Sequence, residues 1–173
     1  MKKFQDFIKM KEAQESLPAH KAAEIMYVAA MLTKDSQKVL YESISKRVSI
    51  PNDWKKYCHH MTIKFKPTKD SELPVFGENV TLVVTEIASD EKGVAVRVEP
   101  NTDGKELHMP PEQLPHVTVA TAPGVSPVYS NDLLRKGIGF KMPQALLLNA
   151  YIGAKMKSGA ITPERHDRAV ESF

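Results

Sequence analysis

Apolar and polar positions divide the chain into short segments of two different periods. Between residues 4 and 16, Phe4, Phe7, Ile8 and Lys11 recur at helical spacing, with Asp6, Glu12 and Glu15 turned outward. Pro18 closes that stretch, so a helix is predicted over 4–16. Met26 to Leu32 is an unbroken apolar run of strand length. Asp35 or Ser36 can cap a following helix, whose buried face would carry Val39, Leu40, Ile44 and Val48. Pro51-Asn52-Asp53 breaks it, and Tyr57 to Phe65 reads as the next strand. A polar loop spans Pro67 to Pro74. Val80–Ala88 and Val94–Val98 then form a hairpin closed by Asp90 to Gly93. In its first strand Thr81, Val83 and Thr85 alternate with Leu82, Val84 and Glu86, which leaves the buried face open.

Residues 99–115 carry no period, and a strand follows at Leu114 to Ala120. A loop covers residues 122–130, and Ser130 or Asn131 caps a short helix that Lys136 and Gly137 end. Ala145 to Met156 is the last long apolar strand, and Pro163 opens a predicted C-terminal helix over Glu164 to Ser172. The order is β-α-β-β-β-β-α-β with flanking helices. Adjacent strands in such runs favour an antiparallel α+β fold over a doubly wound parallel one. Residues 1–24 read as an N-terminal helical segment and residues 25–173 as one domain.

Composition narrows this little. At 173 residues the chain can bury a core, and its 42% hydrophobic and 26% charged residues are ordinary for a globular domain. A net charge of +3 permits an anionic substrate without the strong positive field of a nucleic-acid coat protein. Cys58 is the single cysteine, so no intramolecular disulfide can form, which fits a reducing compartment. The apolar run at 145–152 is too short to span a bilayer. Lys2 and Lys3 precede no apolar core of a secretory signal. A cytoplasmic location and no membrane partner are therefore expected.

The candidate chemistry lies in a repeated tripeptide. His60-Met61-Thr62 and His116-Val117-Thr118 each place a His and a Thr two residues apart inside an apolar run. On a strand such residues share one face, roughly 6–7 Å apart. An imidazole can move a proton near neutral pH, and a hydroxyl can donate to a phosphoryl oxygen. Two such pairs supply a base for the attacking oxygen, an acid for the leaving oxygen and donors for the phosphate, with no metal or other cofactor. The sequence does not say which His is the base.

Lys64 continues the face of residues 60 and 62 and can meet phosphate or simply end the strand in solvent. Tyr27 can stack on a base or pack in the core. Ser126 and Tyr129 lie in a loop that can close over substrate or stay plain surface. Trp54 reads as an anchor for the loop before the first motif. Cys58-His59-His60, with His108 or His116, raises a metal reading, but zinc sites show tighter paired spacings and there is no second cysteine. Cys58 has no evident orienting partner for a nucleophile's role. His20 and His166 read as surface residues, and Gly137-Ile138-Gly139 lacks the rest of a nucleotide-binding fingerprint.

On its two His-x-Thr motifs the chain resembles the 2H phosphoesterase superfamily, over roughly residues 25–157. That group includes cyclic phosphodiesterases, RNA 2′,5′-ligase-like proteins, the phosphodiesterase part of some tRNA ligases, and phage enzymes that cut cyclic oligonucleotide signals. The resemblance implies two pseudo-symmetric antiparallel lobes, with His60, Thr62, His116 and Thr118 facing each other across a cleft. The implied substrate is a cyclic nucleotide phosphodiester, either a 2′,3′-cyclic phosphate at a nucleotide or RNA end or a cyclic oligonucleotide second messenger that a phage enzyme would cut against host defence. The first eight residues also resemble the start of many tailed-phage proteins, which would place the chain in a host cytoplasm. Two rivals stand beside the enzyme: a module that binds nucleotide or RNA without turnover, and a structural phage protein.

Overall fold

The computed structural model describes residues 21–102, 107, 109–110, 113–171 and 173. The helix expected over 4–16, His20 and His108 lie outside them. Strand β1 (Ile25–Leu32) leads through Thr33 into helix α1 (Lys34–Ser45). A short strand β2 (Lys55–Lys56) precedes β3 (His60–Phe65), and the hairpin β4 (Asn79–Ser89) and β5 (Gly93–Asn101) follows. Then come β6 (His116–Thr121), helix α2 (Tyr129–Arg135), the 17-residue β7 (Phe140–Met156) and a short β8 (Ile161–Thr162).

All named strand pairings are antiparallel. The order β1-β3-β6-β5-β4-β7 returns to β1, because β7 pairs with both β4 and β1, so six strands form a closed ring. The antiparallel α+β expectation holds at this level, but one continuous sheet stands where two were expected. The length of β7 is the reason. Its first part runs along β4 as far as Tyr151, and its second runs along β1 from Ala150 to Met156.

Alternate residues of all six strands meet in one buried cluster: Val28 and Ala30, Met61 and Ile63, Val117 and Val119, Val94 and Val96, Leu82 and Val84, Leu148 and Ile152. Helix α1 adds Leu40 and Ile44. In β4, Val80, Leu82 and Val84 take the core side, and a bulge between Val84 and Glu86 then shifts the phase so that Ile87 is buried.

Three expectations need correction. The cap of α1 is Thr33, whose side chain accepts from the Ser36 backbone N–H at 3.3 Å. Its buried face carries Ser36 and Gln37 beside Leu40 and Ile44, while Val39 is 44% exposed. The polar pair is buried because it is bonded: Ser36 Oγ accepts from Asn149 N–H at 2.8 Å, and Gln37 Nε2 donates to Tyr57 O at 2.9 Å. No helix forms at residues 164–171. That segment spends its backbone groups on other elements instead: Ala169 N–H donates to Leu32 O, Lys34 N–H to Asp167 O, and Val170 N–H to Gln37 Oε1.

Candidate active site

Met61 pairs with Val117 across β3 and β6, and both side chains are fully buried in the core. Their strand neighbours must therefore point to the other face. That register sets Thr62 beside His116, while the Thr118 carbonyl accepts from Cys58 N–H at 2.9 Å and leaves His59 and His60 as the inserted residues before Met61, so His60 and His116 flank the Met61–Val117 pair on opposite strands. In a regular antiparallel pair such diagonal positions lie about 7–8 Å apart. The two His-x-Thr motifs thus share one face of adjacent strands, related by an approximate two-fold at Met61 and Val117.

The approach to β3 is irregular. Lys56 pairs with Ala120 and Met61 with Val117, so five steps on one strand span three on the other. Cys58 turns the extra chain with a φ of 58°, the left-handed region few non-glycine residues enter. Consecutive side chains on a regular strand point apart, but here the rings of His59 and His60 stack with centroids 4.4 Å apart. Their Nδ1 atoms are in hydrogen-bond contact. Tyr27 stacks on His60 from β1, with ring centroids 4.8 Å apart and planes 17° from parallel.

Each remaining motif residue has a partner. His116 Nδ1 lies 2.7 Å from Leu114 O, so Nδ1 carries the proton and Nε2 is left for chemistry. Thr118 Oγ1 is 2.8 Å from Ser130 Oγ, which ties β6 to α2. The Thr62 carbonyl accepts from Gln113 Nε2 at 2.7 Å.

Burial pushes all three imidazoles toward the neutral form. His60 is held well below the usual imidazole range, by burial first and then by His59, His116 and Lys155. His59 falls to about 4 through burial, with Lys155, Arg168 and Lys55 adding to it and Glu171 opposing. His116 is lowered by burial, and its bond to the Leu114 carbonyl works the other way. Burial likewise pushes the Tyr27 phenol up to about 12 and the Cys58 thiol far above its ordinary value.

Among the other expected site residues, Lys64 lies 3.8 Å from the Glu72 carboxylate. A bulge sets it across from Val28 of the core, whereas Thr62 and His60 lie across from Ala29 and Met31, so the regular alternation expected from His60 to Lys64 is broken. Ser126 Oγ accepts from Val128 N–H at 3.3 Å. The Tyr129 hydroxyl bonds Asp90 and Lys136 Nζ, the latter at 2.7 Å. These contacts fix the entry to α2 beside Thr118. Trp54 packs against the core, as an anchor does, and His166 is exposed. No cluster of three metal-binding side chains occurs among the described residues.

Three neighbours of the histidines did not stand out in the sequence. Arg97 sits opposite His116 on β5, and Lys155 sits opposite Tyr27 on β7. Neither belongs to a motif, and pairing partners are read from topology alone. His59 was visible only as part of a metal reading, because strand alternation sends it to the far face.

Residues 39–143 match the family model of the fungal tRNA ligase phosphodiesterase domain. The chain belongs to that family. The matched span holds both His-x-Thr motifs and Arg97, while Tyr27 and Lys155 fall outside it. A comparison with curated proteins finds no match. The family is one of 2H phosphoesterases, so the chemical class is that of a cyclic phosphodiesterase.

Proposed function

We propose that this phosphodiesterase opens a 2′,3′-cyclic phosphate at the end of an RNA or nucleotide, using His60 and His116 as its acid–base pair. The pairing of Met61 with Val117 carries the reading, because it brings both motifs to one face of adjacent strands. The half of the ring holding β1 and β3 and the half holding β4, β5 and β6 then act as the two lobes of a 2H site. Thr62 and Thr118 donate to the non-bridging phosphoryl oxygens. Tyr27 holds the His60 ring in place and offers an edge to the nucleoside, and Lys64 draws in the anion. Ser126 and Tyr129 order the loop that borders Thr118.

His60, whose surroundings disfavour a charge, starts neutral and takes a proton from water. The water oxygen bonds to phosphorus as the bond to one ribose oxygen breaks. His116, its pKa lowered by burial in the free protein, is favoured in its charged form once the anionic phosphate lies beside it. With its Nδ1–H held by the Leu114 carbonyl, it gives its Nε2 proton to that oxygen. The products are a phosphate monoester and a free ribose hydroxyl. The phage-like residues 1–8 lie outside both the matched span and the described residues, so they add nothing to the choice of substrate.

The test is incubation with 2′,3′-cyclic mononucleotides, with an RNA ending in a cyclic phosphate, and with cyclic di- and trinucleotides, followed by chromatography of products. Turnover of the first two is expected, with His60→Ala and His116→Ala each slower by about 10²–10⁴. Turnover of the cyclic oligonucleotides alone would move the substrate. Tight binding without product would make the chain a binding module. A folded double variant with wild-type rate would end the assignment.

A further inference from the structure

His59 belongs to neither motif, yet it stands against His60 with ring on ring and Nδ1 against Nδ1. Only one proton fits between two such nitrogens, so the pair must choose a donor and an acceptor. If His59 donates, the neutral His60 carries its own proton on Nε2 and has no lone pair for water. If His60 donates, its Nε2 is bare. Resting on the reading of His60 as base, we propose that His59 is a positioning residue whose Nδ1 accepts the Nδ1–H of His60, leaving the Nε2 lone pair turned to the phosphate.

The surroundings of the pair agree with that direction. His60 feels His116 and Lys155, neither of which can stabilise a positive ring, and Tyr27 stacked on one face brings no counter-charge. His59 feels Lys155, Arg168 and Lys55, but also the Glu171 carboxylate. Charge that reaches His60 when it takes the water's proton is therefore shared best through Nδ1–H with His59, the side nearer an anion. Lys155, 3.1 Å from Glu171, ties that carboxylate to β7. The left-handed turn at Cys58 builds the arrangement, since on a regular strand His59 would face away from His60.

The test separates hydrogen bonding from stacking. His59→Phe keeps a ring against His60 and removes the acceptor, whereas His59→Asn keeps an acceptor near the same place and removes the ring. Expected is a fall in kcat of about 10- to 100-fold for His59→Phe, with KM little changed, and recovery to within about threefold of wild type for His59→Asn. Imidazole ¹⁵N spectra of the free protein give a second readout that needs no turnover. They should show His60 protonated on Nδ1 in wild type and in His59→Asn, and a different tautomer distribution in His59→Phe. Wild-type kcat in His59→Phe with the His60 nitrogen shifts unchanged would overturn the proposal. Full activity of His60→Ala would instead overturn the reading on which it rests, and the spectra would still decide who donates to whom.

Discussion

Arg97 stands directly across from His116 in the pairing of β5 with β6. Its Nε is shielded from solvent without a hydrogen-bond partner among the described residues, and the Glu86 carboxylate is 3.7 Å away, too far for a hydrogen bond. A buried donor left open beside His116, the proposed acid, suits an anion that arrives with substrate. Arg97→Ala should lower kcat/KM for a cyclic phosphate by about 10²-fold, and Arg97→Lys should recover part of it. Steady-state kinetics on the two variants check this, and unchanged kcat/KM in Arg97→Ala would remove Arg97 from the site.

The neutral histidines make stability depend on pH. His59, His60 and His116 all bind protons less readily in the folded chain than in the unfolded one. Below the unfolded value of about 6.5 the unfolded state holds more protons, so stability rises with pH there and is lost as pH falls. Asp90 acts in a lower window. Burial raises its pKa, but bonds from Lys136, Tyr129 and the Lys92 and Gly93 amides outweigh that and hold it at about 2. Its contribution is present above about 3.9 and is lost as pH falls through the folded value. Urea midpoints should fall between pH 7 and 5, and fall less in a His59→Phe/His60→Phe variant. Equal pH slopes in both proteins would contradict the burial argument.

Activity should survive chelation. His116 has its Nδ1 on the Leu114 carbonyl and His60 has its Nδ1 on His59, so each offers one nitrogen to the substrate. The rate should pass through a bell in pH that reports the macroscopic pKa values of the pair, with its acid limb below about 6.5 because burial lowers both imidazoles. Loss of activity in excess chelator, restored by a divalent metal, would replace this mechanism with a metallohydrolase.

Cys58 should be inert. It is fully buried, burial disfavours its thiolate, and Sγ lies 3.8 Å from the Val119 carbonyl. Alkylating reagents at neutral pH should leave the rate unchanged. Cys58→Ser should keep activity and cost about 1 kcal/mol of stability, because its hydroxyl can use the same carbonyl. Rapid inactivation of the folded protein by a thiol reagent would mean that the bend between β2 and β3 opens.

Strand periods revealed most of the fold, because β1, β3, β5 and β6 alternate or run apolar over their whole lengths. The motif residues were legible for the same reason: His60 and Thr62, like His116 and Thr118, obey the two-residue repeat. Where the reading failed, tertiary contacts had replaced the local rule. Ser36 and Gln37 are polar yet buried, since Asn149 and Tyr57 supply their partners. The C-terminal stretch looked helical because Pro163 fits a first turn, but its amides serve Leu32 and Gln37. Strand β7 begins five residues before its apolar run, since Phe140 to Gln144 are mostly exposed but Phe140 and Lys141 still pair with Ile87 and Glu86 of β4. His59 escaped notice because a left-handed turn at Cys58 breaks the alternation, and nothing in a cysteine codon announces that angle.

The 17-residue span of β7 also sets the order of events during synthesis. Until residue 140 leaves the ribosome, β1 and β4 each keep an open edge, since β7 is the shared neighbour of both. Both histidine motifs are already made by then, but the ring that holds them at fixed separation is not. Open edges recruit other strands, and late, long-range pairing is slow. A nascent chain paused in the loop after Gly137 would therefore be both inactive and prone to join its neighbours on a polysome. Ring closure and enzymatic competence should arrive in the same step.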